Sequence, residues 1–132
     1  VQRARPYIYT TAAAPALAHA LLCSLALIAG DEGRQRRAHL ASLCSQFTGL
    51  KLPAGWKQLP SSTPIQPLVI GGNAEVLKVA QRLHDQGLWV SAIRAPTLPA
   101  GTARLRITFS AAHTLPEVLQ LKSALQTLAG EG

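Results

Sequence analysis

The residues able to do chemistry in this 132-residue chain are few and scattered. His19, His39, His84 and His113 have no carboxylate or cysteine at metal-ligand spacing, so each is expected to be structural. Cys23 and Cys44 lie in apolar helical stretches and fit neither a disulfide framework nor a zinc pattern. Both are expected to be buried, reduced thiols. Gly71-Gly72-Asn73 precedes a helical pattern, a place where an anion can bind. A lone Gly pair is more often a tight turn, and Asn73 would then be the helix N-cap. No phosphate loop, nucleophile elbow or dinucleotide fingerprint is present. The remaining candidates are cations. Arg34, Arg36 and Arg37 cluster, Arg104 and Arg106 cluster, and Arg94 closes a strand pattern before a Pro-stiffened loop.

Composition narrows the classes. Hydrophobic residues make up 48% of the chain, which argues against disorder, and a core of Leu, Ile, Val and Ala must serve because aromatics are only 5%. The formal charge of +7 is spread along the sequence rather than gathered in one run. With so few aromatics to stack bases, a nucleic-acid partner is not expected. The apolar run Ala12–Ala29 follows Arg3 and Arg5 and imitates a signal peptide, but it contains Pro15, His19 and Ser24 and is too short for a comfortable membrane span. It reads as an Ala-rich helix that packs against other protein on all sides. The chain has no Met, and its opening carries no cap or turn signal, so it is expected to be a piece of a longer protein.

The elements that must position these residues can be read in order. Pro15 suits a helix first turn, and Gly30 should stop that helix. Asp31 and Glu32 favour the start of a second helix, with Leu40, Leu43, Cys44 and Phe47 as its apolar stripe. Residues 57–64 read as a loop. Ile65–Ile70 is a strand in which Pro67 must leave one side of the ladder unpaired. Val76, Val79, Ala80 and Leu83 give a third helix its buried face, ended by Gly87. Leu88–Ile93 is a second strand. Leu105, Ile107 and Phe109 alternate with Arg104, Arg106, Thr108 and Ser110 in a third, half-buried strand. Thr114-Leu115-Pro116-Glu117 is a capping box before a helix carrying Val118, Leu121, Leu125 and Leu128. The expected fold class is α+β: a mostly antiparallel three-stranded sheet covered by helices, in the order α-α-β-α-β-β-α. Residues 1–30 form a leading segment with the Ala-rich helix, and 31–132 the small α+β domain.

Four blocks in this order resemble the α-oxoamine synthases, a group of fold-type I pyridoxal-phosphate enzymes. They are Arg5–Thr11, Pro64–Gly71, the long stretch Gly87–Thr114, and its closing Ala111–Thr114. The resemblance covers essentially the whole chain and implies the C-terminal domain of such an enzyme. Within the group, Ala92-Ile93-Arg94-Ala95-Pro96-Thr97 favours the branch that condenses L-alanine with a pimeloyl thioester, pimeloyl-CoA or pimeloyl-acyl carrier protein, in biotin biosynthesis. Ala95 departs from the usual Pro. Alternatives are a glycine C-acetyltransferase, an aminolevulinate synthase, or a stand-alone small-molecule-binding regulatory module.

The resemblance also implies site residues. Arg94 would grip the amino-acid carboxylate through the planar guanidinium fork, against the plainer reading of a solvated strand-end Arg. Thr97 would contact the acyl substrate. Thr10 and Thr11 would reach the pyridoxal phosphate group of the partner subunit in a cytoplasmic homodimer, or else form a turn capping the helix that follows. The cofactor lysine is expected in an upstream domain, because Lys51, Lys57, Lys78 and Lys122 lack its Ser/Thr- and Gly-rich setting. The segment alone is expected to be inactive.

Overall fold

The computed structural model describes residues 3–12 and 14–130; the side chains of Tyr7, Ala129 and Gly130, and all of Val1, Gln2, Ala13, Glu131 and Gly132, lie outside that description. The chain divides into two compact units, Val1–Arg36 and Arg37–Gly132. In the first, α1 (Arg5–Ile8) is a single turn and α2 (Pro15–Ala29) is a full helix. Pro15 opens α2, and Gly30 closes it by donating its N–H to Ala26 O at 2.9 Å. Helix α3 (Asp31–Gln46) follows at once, with Asp31 and Glu32 in its first turn. Gly33 is buried at this junction. A Cβ there would overlap the backbone carbonyl of Ile28 and come within 2.6 Å of Leu27 O, so only glycine permits the approach.

In the second unit, the sheet has four strands in the order β1-β2-β4-β3, and every pairing is antiparallel. The strands are β1 (Lys57–Gln58), β2 (Ile65–Gly71), β3 (Ser91–Ile93) and β4 (Ala103–Thr108). Two helices complete the unit, α4 (Asn73–His84) and α5 (Leu115–Gly130). The sheet therefore has one strand more than the three expected. Strand β1 is only two residues long, too short to show any periodicity, and it lies within the stretch expected to be a loop. Its shortness follows from Pro67: the proline carbonyl accepts Leu59 N–H at 3.0 Å, but the ring has no N–H to return.

Alternation sets the core. Gln66, Leu68 and Ile70 of β2 and Ala103, Leu105 and Ile107 of β4 are buried on one face. Val76, Val79 and Leu83 of α4, Val118, Leu121 and Leu125 of α5, and Leu43 and Phe47 from the α3 end pack onto them. Phe47 and Phe109 meet edge to face at 5.1 Å.

Other expectations are corrected locally. Strand β3 starts at Ser91 rather than Leu88, because helix termination claims the residues before it: Leu88 N–H bonds Leu83 O at 2.9 Å and Gly87, at φ 78°, bonds His84 O at 2.8 Å. Trp89 is left 83% exposed. Asn73 is the first helical residue of α4 rather than its cap; Gly72 takes the cap position and no side chain caps it. At α5, Glu117 reaches back to the Thr114 N–H at 2.6 Å, while the Thr114 hydroxyl donates to the same carboxylate at 2.9 Å. Lys122 ties α5 to the end of α3, its Nζ donating to Gln46 O at 3.1 Å and Thr48 O at 2.7 Å.

Two stability predictions follow from these ends. The Thr114 backbone N–H, then its hydroxyl, then the nearby His113 hold the Glu117 carboxyl below its ordinary pKa. A depressed folded-state pKa contributes stability above the unfolded value and loses it as pH falls through the folded value. Thermal melts of the parent and Glu117→Gln should therefore differ most near neutrality and converge below about pH 4, the ordinary carboxylate range. Lys122→Met should lower stability by about 0.5–1 kcal/mol, since a cation at a helix C-terminus is lost without loss of packing, and should lower the melting temperature by a few degrees.

Candidate functional site

The Arg94 turn is built on the end of β3. Ile93 pairs with Arg104 on β4, and the chain then leaves the sheet. Arg94 O accepts N–H groups from both Thr97 (3.0 Å) and Leu98 (3.3 Å), with a cis Ala95–Pro96 peptide inside the turn. The turn's far side is closed by Thr102, whose N–H and hydroxyl both donate to Pro99 O, at 3.2 and 2.8 Å. The backbone is thus pinned at both ends while the Arg94 and Thr97 side chains stay exposed. Neither side chain has a hydrogen-bond partner among the described residues. The structure brings these two sequence-expected residues together, three positions apart on one turn.

The sheet face opposite the core carries further cations. Register places Lys57, Val69, Arg104 and Ile93 in one row and Pro67, Arg106 and Ser91 in the next. Arg104 is steadied by Nε donation to Thr102 O at 3.2 Å. Among the described residues, Arg94, Arg104 and Arg106 form no ion pair with a carboxylate. Guanidiniums without a counter-ion on one rigid surface create a field that favours anions. Arg106 was legible in the sequence as the polar phase of an alternating strand, but its place beside the turn required the register.

Thr10 and Thr11 belong to the other unit. Both are exposed and lie outside any helix or strand. They do not cap α2: Ala14 occupies the cap position and no side chain bonds there. Two neighbouring exposed hydroxyls suit a phosphate, whose oxygens accept hydrogen bonds from short donors.

The remaining candidates are accounted for within the fold. His39 Nε2 meets His113 O at 2.9 Å, His113 Nδ1 accepts Ser110 N–H at 3.0 Å, and the His84 ring lies 5.2 Å from that of Trp89. Cys44 is half-buried, and burial pushes its thiol pKa up. Cys23 is exposed, contrary to expectation, with Sγ 3.7 Å from His19 Nε2. The reason is that α2 has no buried residue among those described: Leu17, Leu21, Leu22, Leu25, Leu27 and Ile28 are all exposed. Among the described residues no single helix is long and apolar enough to cross a membrane.

The sequence pattern of aminotransferase class I and II matches residues 1–125. The chain belongs to that family. Among its relatives are 8-amino-7-oxononanoate synthases from Janthinobacterium sp. (strain Marseille), 59% identical over 97% of this chain and 32% of the relative, and from Bordetella petrii, 55% identical over 99% of this chain and 33% of the relative. The chain spans about a third of the length of these relatives. Among solved structures, the 8-amino-7-oxononanoate synthase from Francisella tularensis shares the fold, with a TM-score of 0.76 at 24% identity over 98% of this chain and 37% of that one. A serine palmitoyltransferase solved with pyridoxal phosphate superposes with a TM-score of 0.71 at 26% identity, over 96% of this chain and 32% of that one. The fold is accordingly that of part of a fold-type I enzyme, as the resemblance implied.

Proposed function

We propose that this chain is the substrate-orienting part of an 8-amino-7-oxononanoate synthase, a pyridoxal-phosphate-dependent acyltransferase that joins L-alanine to a pimeloyl thioester with loss of carbon dioxide. The observation that carries the reading is the 53–59% identity to proteins of that name across nearly the whole chain. The Arg94–Thr97 turn supports it. A guanidinium without a counter-ion, on a backbone pinned by two hydrogen bonds to its own carbonyl, is organised to receive a carboxylate in a two-pronged contact. Three residues on, the Thr97 hydroxyl is placed to donate to the acyl substrate. Thr10 and Thr11 would donate to the cofactor phosphate of the partner subunit. When bound, the cofactor supplies an electron sink for the substrate α-carbon.

The lysine that carries the cofactor lies, in this reading, in an upstream domain. Lys51, Lys57 and Lys78 are exposed and Lys122 is committed to the end of α3, so none is offered to a cofactor in an enclosed site. The same upstream domain, or the second subunit of a homodimer, would cover the apolar sides of α2. A cytoplasmic location fits the reaction. The thioester is carried by coenzyme A or by acyl carrier protein.

A test separates the carboxylate grip from a merely structural Arg. In the full-length enzyme, Arg94→Ala should weaken alanine binding at least tenfold, since each charge-assisted hydrogen bond contributes about 1.5–3 kcal/mol. Arg94→Lys, which keeps charge without the fork, should restore only part. Lys78→Ala, on an exposed position of α4, should be silent. The readout is the alanine dependence of the cofactor absorbance, with a thermal melt beside it. Arg106→Ala belongs in the series because Arg106 also lacks a carboxylate partner among the described residues. Loss of alanine affinity in that variant alone would move the grip from the turn to the sheet face.

A further inference from the structure

The proposed reaction has two substrate carboxylates to place, that of L-alanine and the one at the far end of the pimeloyl chain. Arg94 accounts for the first. A second guanidinium stands beside it in the sheet. Arg104 lies on β4 directly opposite Ile93, the residue before Arg94. It is half-buried, whereas Arg106, two positions on, is exposed.

Its head is held in place but not used up. Nε donates to Thr102 O at 3.2 Å. Thr102 in turn closes on Pro99 O through its N–H and its hydroxyl, so Arg104 is anchored to the same turn that carries Arg94 and Thr97. A guanidinium has five N–H donors, and Nε supplies only one of them. The two terminal nitrogens of Arg104 have no hydrogen-bond or ion-pair partner among the described residues. They present a planar fork whose position is already fixed, which lowers the ordering cost of binding. The setting of that fork is apolar. Register places Val69 of β2 on one side of Arg104 and Ile93 of β3 on the other, on the sheet face opposite the core. Both are partly exposed. Residues opposite one another on adjacent strands stand about 4.5–5.5 Å apart at Cβ, within side-chain contact. A cation flanked by aliphatic surface suits a carboxylate that arrives on a methylene chain, because the chain leaves water as the charge is paired.

We infer that Arg104 selects the acyl substrate by its far carboxylate. The terminal nitrogens of Arg104 take the carboxylate, and Val69 and Ile93 lie along the methylenes that precede it. Arg104 is thus a specificity-determining residue, separate from the alanine grip. The inference rests on the proposed reading of this chain as part of an enzyme that acylates alanine with a pimeloyl thioester.

The test compares two thioesters of one carrier on the full-length enzyme at saturating alanine. Pimeloyl and heptanoyl chains have the same length and differ in the far carboxylate alone. The parent should favour pimeloyl in kcat/KM by at least tenfold. Arg104→Met should lose that preference by at least tenfold, through pimeloyl only, with heptanoyl turnover little changed. Arg104→Lys should restore part of it, since the charge returns without the fork. Alanine affinity, read from the cofactor absorbance, should stay within about twofold of the parent in Arg104→Met, less than the loss of one charge-assisted hydrogen bond. Both thioesters are measured on one preparation, so the ratio is independent of the folded fraction. If Arg104→Met does not fold, Arg104→Gln is judged by the same ratio. Equal loss on both thioesters would assign Arg104 to the carrier or to the fold. An unchanged ratio would move the carboxylate elsewhere, and a fall in alanine affinity would give Arg104 to alanine. Each of these overturns the inference and leaves the proposed function standing, because the parent still forms product. A parent inactive with both thioesters overturns the proposed function itself, and the inference with it.

Discussion

The antiparallel pairing of β2 with β4 is the constraint on which the rest depends. It runs from Ile65↔Thr108 to Gly71↔Ala103. Because side chains alternate across a strand, this one register sends Leu68, Ile70, Leu105 and Ile107 into the core and Arg104 and Arg106 to the other face. A slip by one residue would exchange the two sets, exposing four aliphatic side chains and burying two guanidiniums without partners. The same register fixes where β3 lies against β4, and hence where the chain leaves the sheet to make the Arg94 turn. Core, cationic face and turn are three consequences of one ladder.

Much of this was legible in the sequence because strong alternation and helical stripes report burial directly. Strand β4, the α4 face of Val76, Val79 and Leu83, and the Leu43–Phe47 pair all follow from spacing. What was not legible had local causes. Two-residue β1 carries no pattern, and it exists because β2 offers an edge next to Pro67. The late start of β3 was hidden because Leu88 reads as an apolar strand residue, while its N–H is spent on the end of α4. Gly72 rather than Asn73 caps α4, so a good capping residue one position away was misleading. For the candidate site, Arg94 and Thr97 were found through a resemblance. The physical reasons, a doubly used carbonyl and guanidiniums without carboxylate partners, needed coordinates.

The two units differ in how they are held. In Arg37–Gly132 the apolar side chains have neighbours and the polar ends are tied, as with Lys122 on the α3 terminus and Glu117 on Thr114. In Val1–Arg36 the leucines of α2 are exposed, and among the described residues of that unit Gly33 is the one that is buried. A helix apolar on every side is stable in water only when something covers it.

The central claim is that this chain orients substrate while the cofactor is held by a lysine elsewhere. The most direct measurement joins the chain to the rest of the Janthinobacterium relative, adds pyridoxal phosphate, reduces with borohydride, and locates the labelled lysine by peptide mass spectrometry. The account predicts a single label on a lysine outside this chain, and none when the chain is treated alone. Stoichiometric labelling of Lys51, Lys57, Lys78 or Lys122 would contradict it.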